Sequence, residues 1–439
     1  MNKPMLIKNG RVIDPSQELD IRGDLLITDG RIKEIAPAIK KSPADCTVLD
    51  AKGMIVCPGF IDFHCHLRQP GFEEKETIAT GSKAAAKGGF TTICCMPNTN
   101  PALDNRATID YVKATSAADA CIRVLPIGCI TKSRAGKELA DMGELAESGV
   151  VAVSDDGSTI ADSRIMKQAL EYSLIFGLPV SDHCDDAMLS DGGQINEGII
   201  ATRLGLRGIP NAAEENIIAR DIALAKLTGA RIHICHISTA GSVELIRNAK
   251  KNGIEITAEV TPHHLTMNEE MVLGYDTNAK VNPPLRTKKD IAALISGLND
   301  GTIDIIATDH APHTENEKLC EFAIAPFGIS VFETALGSLM KLVHNGDIGI
   351  NLLVSKLTVT PAKIIGNRFG KLGTLEQGAT ADITIFDPDA KWTVNVKDFY
   401  SKGKNSPLNG EKLKGKVMAT IFNGKVVYKD NSVKLGVKA

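Results

Sequence analysis

Histidines recur at one kind of position along this chain. Nine of the ten lie within or just after short runs rich in β-branched residues, which are typical of strands. These nine are His64, His66, His183, His233, His236, His263, His264, His310 and His313. Imidazole binds metal ions and transfers protons near neutral pH, so histidines repeated at strand ends predict a shared metal or acid–base site.

His64 and His66 are separated by one residue in the run FIDFHCH. Side chains two residues apart on a strand point to the same face, about 6.6 Å apart, so both imidazoles could bind one cation while Cys65 faces away. Taken alone, such a pair is more often structural than metal-binding. Further candidate ligands at the ends of other strands favour a metal site: Asp155, Asp156, His183, His236 and Asp309. Imidazole and carboxylate are ligands that zinc prefers in catalytic sites.

Two histidines share the sixth strand-like run, RIHICHIS, and alternation separates them. His233 and His236 lie on opposite faces of a regular strand, so only one can point into a barrel. His236 is nearer the carboxyl end and is the predicted ligand, whereas His233 is predicted to be packed or to support a ligand. Supporting or structural roles are the default for four nearby polar residues: Asp62, Glu259, His263 and His264.

The elements that would position these residues alternate along the centre of the chain. Eight strand-like runs lie at residues 56–66, 90–97, 122–130, 150–156, 178–184, 231–238, 254–264 and 303–313. Helical stretches lie between them, such as 74–88, 163–177 and 214–229. Eight such units favour an α/β fold of the (β/α)8 barrel type over an open sheet, which is the alternative. The strands of such a barrel carry the active site at their carboxyl ends, so the histidines would meet at one mouth.

Both ends of the chain differ from this centre and read as short strands. Turn signals separate these strands, among them Asn9-Gly10, Asp29-Gly30 and Lys52-Gly53. We predict that residues 1–56 and 369–439 together form one small β-sandwich and that residues 57–368 form the barrel.

Composition excludes several classes of protein. Hydrophobic residues make up 43% and charged residues 23% of the 439, which suits a folded core. The net charge of −3 and the lack of a basic block argue against a nucleic-acid partner or an anionic membrane surface. No apolar run reaches the roughly 18 residues of a membrane span, and the first residues lack the apolar core of a secretory signal. Ten cysteines without an export signal predict reduced thiols and a cytoplasmic location.

Six motifs, in order, resemble one family. The segments PGFIDFHCHLRQPG, MPNT, SDDG, SDHC, HICHIST and ATDHAPH resemble the amidohydrolase superfamily and, within it, the class I dihydroorotases. The resemblance covers essentially the whole chain. The His-x-His pair marks only the superfamily, whereas Arg68, Asn98 and the ATDHAPH segment are more specific.

The resemblance implies two zinc ions per subunit. The implied ligands are His64, His66 and Asp309 for one ion and His183 and His236 for the other. Asp156 and a hydroxide would bridge the two ions, and Asp155 is the second choice for the bridging carboxylate. Many relatives use a carbamylated lysine as the bridge, but VVAVSDD contains no lysine, so the chain matches the variant with an aspartate.

The implied reaction is the reversible cyclisation of N-carbamoyl-L-aspartate to L-dihydroorotate in pyrimidine biosynthesis. Asp309 is predicted to transfer the proton between the attacking water and the leaving nitrogen. Arg68 lies two residues beyond His66, on the same face of the strand, and its guanidinium suits a carboxylate, although a salt bridge is the alternative. The resemblance adds further substrate contacts: Asn98, Asn282, His313 and the backbone of Phe327 and Gly328. Both asparagines precede or follow a proline and could equally be turn residues.

Two alternative functions and one alternative ligand remain. Another cyclic amidohydrolase, such as a dihydropyrimidinase or allantoinase, is disfavoured by the missing lysine and by Arg68. A non-catalytic scaffold for aspartate carbamoyltransferase is disfavoured because all six ligands are present. Cys184 follows a predicted ligand and could occupy an open zinc position, but a buried thiol facing the helices is the favoured interpretation. The expected partners are the small-molecule substrate, a second copy in a homodimer, and aspartate carbamoyltransferase.

Overall fold

The amino-terminal section folds as short strands joined by turns. The structure is a computed structural model and describes residues 3–43 and 45–437. The strands of this section are β1 (Met5–Asp14), β2 (Leu19–Thr28), β3 (Arg31–Ala36), β4 (Thr47–Asp50) and β5 (Ile55–Pro58). Asp29 and Gly30 turn the chain between β2 and β3 as predicted, with φ angles of 51° and 74°.

The turn predicted at Asn9 and Gly10 is wrong. β1 runs through both residues, and its pairing with β2 changes register there, which marks a β-bulge. Asn9 has a φ of 61°, a left-handed conformation that asparagine tolerates, and its N–H donates to Asp24 Oδ1 at 3.0 Å. A side chain at Gly10 would place Cβ only 2.6 Å from Val56 Cγ2, so the bulge packs directly on β5.

Eight parallel strands close into a ring at the centre of the molecule. The strands of the central section are β6 (Phe60–Cys65), β7 (Phe90–Cys95), β8 (Arg123–Pro126), β9 (Val153–Ser154), β10 (Val180–Asp182), β11 (Ile195–Asn196), β12 (Gly208–Ile209), β13 (Ile232–Ile234), β14 (Ile256–Val260) and β15 (Ile305–Ile306). Within the described chain, β11 and β12 pair only with each other and lie outside the ring. β6, β7 and β8 pair in one run, and β9, β10, β13, β14 and β15 pair in another. Backbone bridges between Gly128 and Val153 and between Cys65 and His310 join the two runs into a closed barrel. The predicted barrel is therefore confirmed, and the open-sheet alternative is wrong.

Helices connect the barrel strands. Those of the described chain are α1 (Ile78–Lys87), α2 (Arg106–Asp119), α3 (Met142–Ser148), α4 (Ser163–Phe176), α5 (Ala187–Ser190), α6 (Ile199–Leu204), α7 (Asn211–Thr228), α8 (Ala240–Lys251), α9 (Pro262–Thr266), α10 (Lys288–Asn299), α11 (Glu315–Lys318), α12 (Ala335–Asn345), α13 (Ile350–Leu357) and α14 (Val359–Ile365). The hydroxyl of Thr77 caps α1 by accepting from the N–H of Thr80 at 3.1 Å. Among the described residues, no helix combines the length and the apolar character needed to cross a bilayer.

The first predicted barrel strand is in fact two strands. The run 56–66 divides at Gly59, because β5 belongs to the terminal sheet and only β6 belongs to the barrel. A Cβ at Gly59 would lie 2.1 Å from Thr91 Oγ1, so glycine permits the close approach at the change of sheet. The first strand of the barrel thus begins at Phe60.

The carboxyl-terminal section completes the sheet begun at the other end of the chain. Its strands are β16 (Ile383–Thr393), β17 (Lys412–Phe422), β18 (Lys425–Lys429) and β19 (Leu435–Val437). The strand order is β18-β17-β16-β5-β1-β2-β3; β4 also pairs with β1, and β19 pairs with β4. Leu25 and Val56 from one end pack in a single core with Ile385 and Ile421 from the other, so each terminal section buries the apolar face of its counterpart.

A separate core fills the inside of the barrel. Ile61, Cys94, Leu125, Cys235 and Ile305 lie in or next to five different barrel strands, and they pack in one cluster. Side chains from strands around a ring can meet only through its interior. The barrel is therefore packed with side chains, and the site can form only at its open carboxyl edge.

Candidate metal centre and active site

Five of the six predicted ligands lie just beyond the ends of five barrel strands. His66 follows β6, Asp156 follows β9, His183 follows β10, His236 follows β13 and Asp309 follows β15. Parallel strands in a closed barrel end at one edge, so these side chains are brought together. All five line one cavity of about 350 Å³.

Two of these ligands have unusual backbone conformations. The φ angle is 29° at His236 and 46° at Asp309. Residues other than glycine rarely adopt positive φ, and such strain is concentrated at functional sites. The N–H of Asp309 donates to His64 O at 2.9 Å, which ties the end of β15 to β6 across the ring closure.

His64, His66 and Asp309 form a first cluster. Asp309 Oδ1 lies 3.0 Å from His66 Nε2 and 3.6 Å from His64 Nε2. Ligand atoms bound tetrahedrally to zinc at about 2.1 Å stand roughly 3.4 Å apart. The cluster therefore already has the spacing of a metal site.

Asp156 faces both sets of predicted ligands. Its Oδ2 lies 3.5 Å from His66 Nε2, and its Oδ1 lies 3.3 Å from His64 Nε2. The same Oδ1 is 3.6 Å from His236 Nε2 and 3.9 Å from His183 Nδ1. A carboxylate between two groups of imidazoles in this way is placed to bind two cations at once.

Two buried polar atoms at this point lack a hydrogen-bond partner. They are His64 Nε2 and Asp156 Oδ1, and they face each other across 3.3 Å. No group in the described part of the chain satisfies either atom, and unpaired buried polar atoms are costly. A cation bound between them would satisfy both, so the residues present fit a metal ion.

Both carboxylates of the cluster are held in the ionised form, which suits cation binding. Burial opposes ionisation of Asp309, but the hydrogen bond from His66 and the charges of nearby imidazoles hold its pKa well below the ordinary value. The pKa of Asp156 is lowered in the same manner. Burial, together with the charge of His236, lowers the pKa of His183 to about 4, so His183 is a neutral imidazole, the form that binds metal.

Glu259 supports two of the predicted ligands. In the sequence, its place on the seventh predicted strand was the single feature that pointed to it. Its Oε1 accepts from His64 Nδ1 at 2.5 Å and from the backbone N–H of His236 at 3.2 Å. The first bond leaves His64 Nε2 directed at the cluster. Burial opposes ionisation of Glu259, but the charge of His64 and the hydrogen bond from His233 lower its pKa to about 2, so the carboxylate is ionised.

His233 is packed as predicted, but the reason given by alternation is wrong. Its Nε2 lies 3.1 Å from Glu259 Oε2, and its ring packs edge-on against Phe63 at 5.0 Å between centroids. The His233 ring contacts Glu259, and His236 lines the cavity at the barrel mouth, so both side chains lie on the inner side of the barrel. The positive φ of His236 breaks the alternation that should have separated them.

Two further candidates face away from the cluster. Asp155 Oδ1 accepts from the backbone N–H groups of Ile130 and Thr131 at 2.9 and 3.0 Å, so its carboxylate is committed elsewhere. Cys184 Sγ lies 3.7 Å from Asp221 Oδ2 on α7. These contacts favour the interpretation of Cys184 as a buried thiol, and its binding to the metal stays an untested alternative.

Three further polar residues near the strand ends, Asp62, His264 and His263, do not line the cavity. Asp62 accepts from the backbone N–H and the hydroxyl of Thr308 at 2.6 and 2.8 Å, which fixes the residue before the predicted ligand Asp309. His264 Nδ1 pairs with Thr261 Oγ1 at 2.8 Å. His263 is buried, and its ring nitrogens have no hydrogen-bond partner within the described residues.

The cavity beside the metal ligands also brings together the predicted substrate contacts. They are Arg68, Asn98, Asn282, His313, Phe327 and Gly328. The predicted reactive carboxylate and the predicted substrate-binding groups thus share one chamber.

Arg68 presents its guanidinium at this cavity. Its Nε donates to Pro312 O at 3.2 Å, and its Nη2 lies 3.3 Å from His313 Nε2. His313 Nε2 is also 2.8 Å from Phe327 O, and the shorter distance favours donation of its N–H to that carbonyl. No carboxylate of the described chain forms a salt bridge with Arg68, so the salt-bridge alternative is wrong and the guanidinium is available to an anion.

Asn98 orients a ligand besides lining the cavity. Its Oδ1 accepts from His66 Nδ1 at 2.8 Å, and its N–H groups remain available to a substrate. Asn282 Nδ2 donates to Asp185 Oδ2 at 3.3 Å, which leaves the amide oxygen of Asn282 uncommitted. Neither asparagine acts simply as a turn residue.

Comparison with known sequences places this site in a family. The family model described as Dihydro-orotase-like matches residues 53–242. A dihydroorotase from Caldanaerobacter subterraneus subsp. tengcongensis is 52% identical over 97% of this chain and 98% of its own length. A dihydroorotase from Pelotomaculum thermopropionicum is 51% identical over 98% of this chain and 100% of its own length. The chain belongs to the dihydroorotase family.

The fold of this dihydroorotase family member extends to enzymes with other names. The crystal structure of dihydropyrimidinase from Brevibacillus agri NCHU1002 matches with a TM-score of 0.85 and 25% sequence identity, over 97% of this chain and 95% of that chain. The barrel architecture is thus shared beyond the family. The much higher identity to dihydroorotases makes a dihydropyrimidinase the weaker alternative.

Proposed function

We propose that the protein is a dihydroorotase that interconverts L-dihydroorotate and N-carbamoyl-L-aspartate at a site with two zinc ions. The observation that carries the proposal is the convergence of six predicted ligand side chains beside a cavity that contains a guanidinium without a carboxylate partner among the described residues. Nitrogen and carboxylate donors of this kind suit zinc. The family membership supplies the substrate class.

Six side chains would hold the metal ions. We assign His64, His66 and Asp309 to one ion and His183 and His236 to the other, with Asp156 bridging both. When bound, the ions would polarise the ring carbonyl and lower the pKa of the attacking water. Asn98 and Glu259 keep two of the ligands oriented through the nitrogen that faces away from the cluster.

Arg68 would bind the carboxylate of the substrate. A guanidinium offers paired N–H donors that match the two oxygens of a carboxylate, and partial exclusion of water strengthens this pairing. The backbone at Phe327 and Gly328 and the amide of Asn282 lie around the same cavity and would contact the ring. Fixing both ends of the ring holds the scissile amide next to Asp309.

Asp309 would transfer the proton. As water attacks the carbonyl carbon, its proton passes to the Asp309 carboxylate and then to the ring nitrogen while the C–N bond breaks. In the opposite direction Asp309 takes a proton from the ureido nitrogen, which attacks the side-chain carboxyl carbon, and water leaves. One carboxylate is sufficient because the proton lost by water is the proton gained by nitrogen.

A side-by-side assay with a metal count tests the proposal. Purified protein should hydrolyse dihydroorotate in preference to dihydrouracil and allantoin, contain close to two zinc ions per chain, and lose activity to a chelator until zinc is restored. Hydrolysis of dihydrouracil or allantoin without dihydroorotate would assign another cyclic amidohydrolase. Protein without metal or activity on any of the three would instead fit the scaffold alternative.

We also propose that residues 1–56 and 369–439 act as one small β-sandwich and residues 57–368 as the catalytic barrel. The branching of the terminal sheet at β1 supports this, because β1 pairs with β4 through its first half and with β5 through its second half. The homodimer, the aspartate carbamoyltransferase partner and the cytoplasmic location stay predictions from the family resemblance and the sequence.

A further inference from the structure

The loop between β16 and β17 leaves the terminal sheet and packs against the rim of the active-site cavity. Ser401 Oγ donates to Glu76 Oε2 at 2.5 Å, next to the first barrel helix. A Cβ at Gly403 would lie 2.5 Å from Pro312 Cβ and 2.6 Å from Ser330 Oγ, so the loop backbone touches the rim directly. A segment of the carboxyl-terminal section is therefore part of the wall behind the cavity.

Asn405 is the polar centre of this contact. Its Oδ1 accepts from the backbone N–H of His313 at 3.0 Å and from Ser330 Oγ at 2.8 Å. Its Nδ2 donates to Ala311 O at 3.1 Å and to Gly328 O at 3.0 Å. A carboxamide has two acceptor and two donor positions, so this buried side chain uses all four.

The four partners belong to the two segments that form one side of the cavity. Ala311 and His313 lie on the segment after β15, and Gly328 lies on the returning segment. Ala311 N donates to Ile329 O at 2.9 Å, so the two segments also pair through their backbones. Asn405 bonds to both segments, and it thereby fixes their separation.

We propose that Asn405 is a positioning residue that sets the geometry of the substrate-binding side of the active site. It acts through His313 and Gly328, and no metal ligand is among its hydrogen-bond partners. The inference rests on the proposed function for its kinetic test. The carboxyl-terminal section thus supplies part of the binding site for a cyclic amide with a carboxylate, although it contributes no group that touches the reacting atoms.

Steady-state kinetics of three variants test this role. Asn405→Ala removes all four side-chain hydrogen bonds. Asn405→Asp keeps Oδ1 as an acceptor but replaces the N–H₂ group by a second oxygen, which faces the carbonyls of Ala311 and Gly328. Loss of buried hydrogen bonds that hold a binding surface should raise KM for dihydroorotate about tenfold, with kcat changed less than about threefold and metal content unchanged. Asn409→Ala is the matched control on the same loop, because within the described chain its exposed side chain accepts a single backbone N–H, from Val396.

Two kinetic outcomes would overturn the proposal. One is a KM in both Asn405 variants that equals the KM of Asn409→Ala. The other is a parallel loss of kcat and of bound metal at unchanged KM, which would indicate a general structural role instead.

Hydrogen exchange gives a readout that does not depend on turnover. The His313 amide loses its acceptor in Asn405→Ala but keeps it in Asn405→Asp, so its exchange should be faster in the first variant than in the second. If the parent protein fails to hydrolyse dihydroorotate, the proposed function fails while this measurement still tests the positioning. Should Asn405→Ala not fold, Asn405→Asp and Ser330→Ala carry the test, since Ser330→Ala removes one of the four bonds. Unchanged exchange around His313 and Gly328 in every variant would refute the role.

Discussion

An imidazole that binds metal has two nitrogens, and the partner of one determines where the other points. His64 gives Nδ1 to Glu259, and His66 gives Nδ1 to Asn98, so both direct Nε2 at the cluster. The supporting residues are thus as necessary to the geometry as the ligands. The sequence predicted these ligands because they lie at strand ends, but it could not indicate the role of Glu259, whose partners come from β6 and β13.

Replacing Glu259 tests this support at the scale of one residue. Glu259→Gln removes the negative charge beside His64 and replaces one acceptor oxygen by an N–H₂ donor, so the orientation of His64 should be weakened and metal affinity should fall about 10- to 100-fold. Competition with a chromogenic chelator measures the affinity. Glu255→Gln is the control, because Glu255 is exposed just before the same strand. Equal affinities in the two variants would contradict the assignment.

Replacing Asp309 tests the proton transfer. Asp309→Asn keeps a ligand oxygen but cannot accept a proton, so kcat should fall at least about 10²-fold while part of the metal stays bound. Metal analysis and dihydroorotate hydrolysis on the same preparation separate these effects. Near-normal turnover by the variant would exclude Asp309 as the acid–base group.

At the scale of elements, strand positions were predictable and side-chain directions near strand ends were not. β-branched runs mark the barrel strands because a buried parallel strand needs them on both faces. Alternation fails at Arg68 and His236, where φ is 61° and 29°, because one left-handed residue redirects everything after it. Arg68 reaches the cavity from the loop after β6 and not along the strand. The two-residue strands β11 and β12 are too short to leave a pattern.

Lys318 holds the loop that precedes Phe327 at the active-site cavity through hydrogen bonds to backbone carbonyls. Lys318 is buried, and its Nζ donates to Thr277 O at 3.0 Å and to Pro326 O at 2.7 Å. Both bonds go to carbonyls, so none of the described carboxylates neutralises the ammonium directly. Burial, with repulsion from Lys280, lowers the pKa of Lys318 to about 7.

This shift predicts a pH-dependent contribution to stability. Lys318 binds fewer protons in the folded chain than in the unfolded chain, so it destabilises the fold fully below pH 7, and the cost is relieved as pH rises toward the ordinary value of 10.5. Relative to Lys318→Met, the parent protein should gain roughly 2 kcal/mol of unfolding free energy between pH 6 and pH 9. Denaturant titrations of both proteins at the two pH values measure the difference. Parallel pH dependence would show that the lysine titrates normally.

At the scale of the whole molecule, aromatic packing joins the terminal sheet to the barrel. Phe386 on β16 lies 6.1 Å from Phe60 on β6, measured between ring centroids, and Phe60 lies 5.8 Å from Phe90 on β7. Phe90 continues this contact to Phe332 at 5.5 Å. Similar strand patterns at both ends predicted that the ends would pair, but the order of strands depends on contacts that no local pattern contains.

Truncating Phe386 should therefore weaken the molecule without altering its chemistry. Phe386 is fully buried, so Phe386→Ala should cost about 3–5 kcal/mol of unfolding free energy, with kcat and metal content unchanged in the folded fraction. Denaturant unfolding measures the loss. Phe176→Ala, at a half-buried position on α4, should cost less. A smaller effect at Phe386 than at Phe176 would mean that the sheet and the barrel are held together elsewhere.

The division of one sheet between the two ends of the chain has a consequence for biosynthesis. β5 is translated before the barrel, and its partner β16 is translated after it. At about 5–20 residues per second, the ribosome takes on the order of tens of seconds to produce the intervening segment. During that interval the nascent chain carries an unpaired strand edge, which is a site for mispairing between chains. Yield in a cell should then depend on chaperones that shield this edge, even where the finished enzyme is stable.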